Sequence, residues 1–121
     1  MYNVEYYERP NRDKPARDWL LALKSEDGKL ASLIQAKLLK LSEEGLKLLG
    51  TKMLKPIAGR SNLYEIVARQ ARVCVYHEIA ERRFIALYGF RKKRQRETMH
   101  IERCCELLDE YTANRKRGGY E

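Results

Sequence analysis

Apolar positions along the chain change period twice. Over residues 2–8, Tyr2, Val4 and Tyr6 alternate with more polar neighbours, which fits a half-buried strand closed by Pro10 and Asn11. A helical period follows, with Ala16, Trp19, Leu20 and Leu23 on one stripe. Asp13 is placed to cap that helix, and Pro15 fits its first turn, where a missing amide costs little. Gly28 marks the break before a longer stripe of Leu30, Leu33, Ile34, Leu38 and Leu41, which Gly45 ends. The stretch from Gly45 to Asn62 holds Gly45, Gly50, Pro56 and Gly59 and reads as a connector.

The period then drops to two. Residues 63–69, 72–79 and 83–88 are short runs rich in β-branched and aromatic side chains, and gaps of two or three residues between them favour antiparallel hairpins. From Gln95 the helical period returns with Met99, Ile101, Cys104, Cys105, Leu107, Leu108 and Tyr111. The expected fold is α+β: strand, two helices, a three-stranded antiparallel meander and a C-terminal helix, with the helices on one face of the sheet. Residues 1–112 would form one domain, and residues 113–121, with Gly118 and Gly119, a flexible tail.

Composition narrows the class. A chain of 121 residues with 44% hydrophobic residues and 3 prolines is long enough to bury a core and too apolar for general disorder. No apolar run approaches the roughly 18 residues of a membrane helix, and the first residues lack a secretory pattern, so a cytoplasmic protein is expected. The 3 cysteines are an odd number without zinc-site spacing. Cys74 reads as a small buried hydrophobe, the set agrees with a reducing compartment, and neither metal nor cofactor is expected.

Charge changes the picture most. There are 25 Lys and Arg against 17 Asp and Glu, a formal net charge of +8, which points to a polyanionic partner. Seven basic residues and no acidic one lie between Arg82 and Arg96, although a helix start there would prefer acids. If Gln70 and Ala71 turn the first hairpin, Arg69 opposes Arg72. If residues 80–82 turn the second, Arg72 opposes Phe90, next to Arg91. Basic residues distant in sequence then meet at one end of the sheet. Strand alternation puts Tyr64, Ile66, Val73, Val75, Ile79, Ile85 and Leu87 on the core face. Arg69, Arg72, Cys74, Tyr76, Ala86, Tyr88 and Phe90 take the other face, where arginines beside tyrosines can hold phosphates and stack bases. His77 falls on the core face as a structural residue.

These same residues carry a family likeness. Leu63-Tyr64-Glu65-Ile66-Val67, Arg72-Val73-Cys74-Val75-Tyr76, Gly89-Phe90-Arg91-Lys92-Lys93 with Gln95, and Ile101-Glu102-Arg103 together resemble the RelE/HigB superfamily of bacterial toxins, in its phage-derived HigB-like branch. The resemblance spans roughly residues 2–112 and takes in the Trp19-Leu20 helix and the Lys55-Pro56 step. It implies a RelE-like fold and the toxin of a type II toxin–antitoxin pair. Such a toxin is a ribosome-dependent, metal-independent endoribonuclease, neutralised by a small antitoxin that is expected to be a helix-turn-helix protein. It cuts messenger RNA through attack of the 2′-hydroxyl on the adjacent phosphate. That reaction needs a proton acceptor, positive charge on the phosphorane and a proton for the leaving oxygen.

Carried onto this sequence, the resemblance makes Arg72 the holder of the scissile phosphate and Arg69 a second basic position. Arg91 and Lys93 fall in the segment that stabilises the transition state. Tyr88 and His100 are the candidates for proton transfer, and Lys92, Arg94, Arg96 and Tyr76 are expected to contact RNA. Val67 stands where the family has arginine, Tyr88 where it has histidine, Arg94 and Arg96 where it usually has Thr and Lys, and Glu97-Thr98 where it has Thr-Pro. The alternative readings are a non-catalytic RNA- or ribosome-binding module on the same fold, and a domain for partner binding and autoregulation.

Overall fold

The computed structural model describes residues 1–93 and 98–116. Strand β1 spans Asn3–Tyr6, helix α1 Pro15–Glu26 and helix α2 Gly28–Glu44. Pro15 opens α1 as expected, but Asp13 does not cap it. The Asp13 amide turns back onto Asn11 Oδ1 (3.0 Å), and the Lys14 N–H donates to the Asp18 carboxylate at 3.1 Å, from inside the helix. Asp27 joins the two helices: its N–H closes α1 on the Leu23 carbonyl, and its carboxylate accepts the Leu30 N–H at 3.1 Å to start α2. Gly45 stops α2 at a φ of +58°, with the Tyr2 ring where a side chain would project.

The described strands form one five-stranded sheet in the order β1-β5-β4-β3-β2. Strand β2 (Leu54–Pro56) lies inside the segment that the sequence assigns to a connector. Three residues are too few to show a period. Only Leu54 is buried, and Pro56 is tolerated because β2 is an edge. Strands β3 (Leu63–Ala68), β4 (Ala71–Glu78) and β5 (Arg83–Arg91) make the expected antiparallel meander, and β1 pairs parallel to β5.

Both hairpins differ from the expected register. The first turns at Arg69 and Gln70, so Val67 and not Arg69 opposes Arg72. Arg69 itself adopts a left-handed φ of +55°. The second turn begins at Ile79, which is exposed, and pairs Glu78 with Arg83. Arg72 still opposes Phe90, because Leu87 is the extra residue of a β-bulge between the Val75–Ala86 and Cys74–Tyr88 pairs.

Helices α1 and α2 pack on one face of the sheet, over Ile66, Ala68, Val73, Val75, Phe84 and Ala86. Helix α3 (Thr98–Lys116) lies on the other face, over Leu63, Cys74, Ile85, Leu87 and Phe90. The single-sided packing of the helices therefore holds for α1 and α2 and not for α3. The reason lies in the sequence: Ile85 and Leu87 point away from α1 and α2 and need a cover of their own. Ala86, expected opposite the helices, lies beneath α1 and α2 instead. Residues 113–116, assigned to the tail, continue α3.

The α3 placement also corrects the reading of Cys74. It is buried, but as half of a disulfide to Cys104, with Cα atoms 6.4 Å apart, while Cys105 is free. On an open sheet face Cys74 would have had no sulfur to meet.

Candidate functional site

The described part of the site starts from β4 and β5, where Arg72 faces Phe90 across the ladder. Arg72 and Phe90 project toward the α3 side, and the first turn of α3 sets His100 flat on the Phe90 ring. Their centroids are 4.3 Å apart with planes 8° from parallel. The bulge at Leu87 puts Tyr88 on the same side as Phe90. The Tyr88 hydroxyl lies 3.1 Å from His100 Nδ1, a hydrogen bond whose direction depends on the histidine tautomer. Tyr88, Phe90 and His100 are thus one aromatic cluster, joined by non-local contacts.

Arg72 sits in the floor beside it with its side chain 11% exposed. Its Nη1 donates to the carbonyls of Arg69 (2.6 Å) and Ala71 (2.9 Å), and its Nε lies 3.8 Å from Glu65 Oε1. Such a charge pair, taken largely out of water, is stable only while both partners remain. Glu65 is a neighbour that sequence reasoning missed. The actual register of the first hairpin moves it from a position opposite Tyr76 to one opposite Cys74, diagonal to Arg72.

The other sequence-predicted residues divide. Arg69 and Lys92 join Arg72 at the hairpin end: Arg69 through its carbonyl, Lys92 because its N–H donates to the Gln70 carbonyl at 2.6 Å. Lys92 and the adjacent Lys93 are exposed. Arg91 does not join them. Strand alternation turns it to the opposite face, where its Nη2 meets Asp27 Oδ2 at 3.2 Å between α1 and α2. Tyr76 shares the α3 side but lies further along β4, edge-on to Tyr111. Arg94 and Arg96 lie outside the described residues. His77 is on the core face as expected, stacked on Phe84 at 4.6 Å; burial lowers its pKa, and its Nδ1 has no hydrogen-bond partner among the described residues.

The far end of the same face is a different environment. Arg83 Nε meets Glu78 at 2.6 Å and Arg83 Nη2 meets the Tyr111 hydroxyl at 3.0 Å, while Arg115 reaches Glu78 at 3.2 Å. Burial works to lower the Arg83 pKa, but the Glu78 and Tyr111 contacts outweigh it and hold the group charged. Glu110 accepts from Arg9 and from Tyr7, and these bonds hold its carboxyl below the usual range. A cleft of about 240 Å³ opens here, lined in part by Glu5, Glu8 and Arg83. Two carboxylates at its wall make it a poor seat for a polyanion. The hairpin end, with Arg69, Arg72, Lys92 and Lys93, is the better candidate.

Among the described residues no three His, Cys, Asp or Glu side chains gather as metal ligands would, and no helix is long and apolar enough to cross a membrane. No family model matches the sequence, and no curated protein matches it. Among solved structures, the chain is similar to the toxin–antitoxin complex RelBE2 from Mycobacterium tuberculosis. The TM-score is 0.45 and the identity 15%, over 74% of this chain and 90% of that one. That likeness is too slight to assign a family or a function.

Proposed function

We propose that the chain is a RelE/HigB-type toxin that cleaves messenger RNA on the translating ribosome by metal-independent attack of the 2′-hydroxyl, and that a small helix-turn-helix antitoxin neutralises it. The observation that carries this reading is the Tyr88–His100 pair, its histidine stacked on Phe90, beside Arg72. The pair joins two groups able to exchange a proton, and it adjoins a guanidinium for phosphate charge and an aromatic face for a base. In this reading Arg72 holds the scissile phosphate, Arg69 and Lys93 add positive charge, and Tyr88 and His100 move the protons. Lys92 grips flanking RNA. Arg91 acts only if its bond to Asp27 opens. The sequence motifs quoted above support the same assignment.

The test is primer extension on a translated message, with the wild type and Arg72→Ala. Codon-spaced cuts with the wild type, lost in a folded Arg72→Ala variant, are the expected result. Uncut message on translating ribosomes would remove the ribonuclease reading.

One observation favours the second reading, a non-catalytic RNA- or ribosome-binding module. Arg72 is largely buried, with Nη1 on two carbonyls and Nε toward Glu65. An arginine held that way stiffens the hairpin without touching a phosphate. Ribosome binding without cleavage, unchanged in Arg72→Ala, is the outcome that this reading expects.

A further inference from the structure

Four residues, two of them the Tyr88–His100 pair of the candidate site, close a ring. Cys74 stands directly opposite Tyr88 in the β4–β5 ladder, and the Tyr88 hydroxyl meets His100 Nδ1 at 3.1 Å. His100 and Cys104 lie one helical turn apart on α3, on the side facing the sheet. The Cys74–Cys104 disulfide completes the ring. The ion pairs that fix the rest of α3, Arg60–Asp109, Arg9–Glu110 and Arg115–Glu78, all lie C-terminal to Cys104. Among the described residues, what holds the helix to the sheet before Cys104 is the disulfide, the His100 stack on Phe90, the Tyr88 bond and the partly buried Ile101.

We infer that the Cys74–Cys104 disulfide positions His100 against Tyr88 and Phe90, and that thiol–disulfide exchange at this bridge regulates the site. The inference rests on the reading of that site given above. The exchange is balanced with a small-molecule thiol as co-reactant. One thiolate attacks a bridge sulfur and releases the other cysteine as a thiolate, which takes up a proton. A second thiolate then displaces the remaining protein sulfur from the mixed disulfide. Two protein thiols and one molecule of the small-molecule disulfide result, and the two electrons come from the two small-molecule thiols. Both bridge cysteines are fully buried. Attack therefore requires the first turns of α3 to lift, and the same movement takes His100 off Phe90. Cys105, partly exposed and free, is outside the bridge and serves as a reference thiol.

The experiment uses the full chain without reductant, with dithiothreitol, and after reoxidation by glutathione disulfide. Alkylation of the denatured protein should mark one thiol, then three, then one. The ring-proton resonances of His100, assigned with His100→Gln, should lose their Phe90 ring-current shift on reduction, while those of His77 on the opposite face stay in place. Message cleavage should fall at least tenfold on reduction and return on reoxidation. A Cys74→Ala/Cys104→Ala variant should match the reduced wild type in both conditions. Should that variant fail to fold, the wild-type series decides alone. Three alkylated thiols in every condition, or His100 resonances that ignore the redox state, would overturn the inference. Absence of cleavage in every state removes the ribonuclease reading instead, and the His100 resonances still decide the role of the bridge.

Discussion

The two ends of the α3-covered sheet face are built from the same residue types and do different things. At the far end Arg83, Arg115 and Tyr111 surround Glu78, and Arg9 is forked onto Glu110. Each of these arginines is matched by a carboxylate at 2.6–3.2 Å, so the cluster is a clamp between α3, the segment after β1 and the ends of β4 and β5. At the hairpin end Arg69, Arg72, Lys92 and Lys93 gather, and Arg72 faces Glu65 at a looser 3.8 Å. Arginine beside tyrosine therefore says little by itself. The carboxylates that share the space decide whether an arginine serves the fold or an outside anion.

Substitutions at the two ends should separate these roles, and the largest effect belongs to activity at the hairpin end. Arg72→Ala is expected to lower message cleavage by roughly 100-fold, about 2.7 kcal/mol of transition-state stabilisation. If stability falls by that much and the remaining folded protein cuts normally, the contrast between the two ends fails. Arg83→Ala should do the reverse. It leaves Glu78 with Arg115 and the Tyr111 hydroxyl as its remaining partners and costs about 1–2 kcal/mol in urea unfolding, with cleavage per folded molecule unchanged. His100→Ala should slow cleavage by about tenfold, less than the roughly 10²–10⁴-fold of a lone acid–base group because Tyr88 remains, and shift the melting temperature little.

A pH series sharpens the comparison without mutation. Burial lowers the folded-state pKa of His77, so below its unfolded value of about 6.5 the unfolded chain binds the extra proton. Stability should therefore be fully present above pH 6.5 and fall as pH drops toward the folded value, by at most about 1.4 kcal/mol per pH unit. His77→Phe should flatten that slope. Loss of the Arg9–Glu110 clamp is separate: the Glu110 pKa is depressed, so its contribution fades only as pH falls below the usual carboxylate range. The smallest effect is expected for Lys92→Ala, a few-fold weaker RNA binding and a salt slope lower by about one.

Much of the fold was legible because its signals are local. The stripes of α1 and α2, the Gly45 stop, the three strands of the meander and the core position of His77 each follow from residues within one turn or one strand. The site was legible in part. Arg72 opposite Phe90 emerged from the sequence, although by offsetting differences: the turn shifted the register by one residue, and the bulge at Leu87 restored it. Arg91 went astray because it was grouped with Arg72 by its position along the sheet, whereas alternation after Phe90 sets it on the face of Asp27. Glu65 was missed because a shifted turn hid its neighbour.

From the sequence alone came the order of the elements other than β2, the buried stripes of α1 and α2 and the excess of eight positive charges. Tertiary packing set the parallel seat of β1 beside β5, the edge strand β2 and the side on which α3 lies. With that side came the Cys74–Cys104 bridge and the stack of His100 on Phe90. The physical reason is one of range. Periodicity reports which way a side chain points relative to its own element, while partners more than a turn away are selected by packing the whole apolar surface at once.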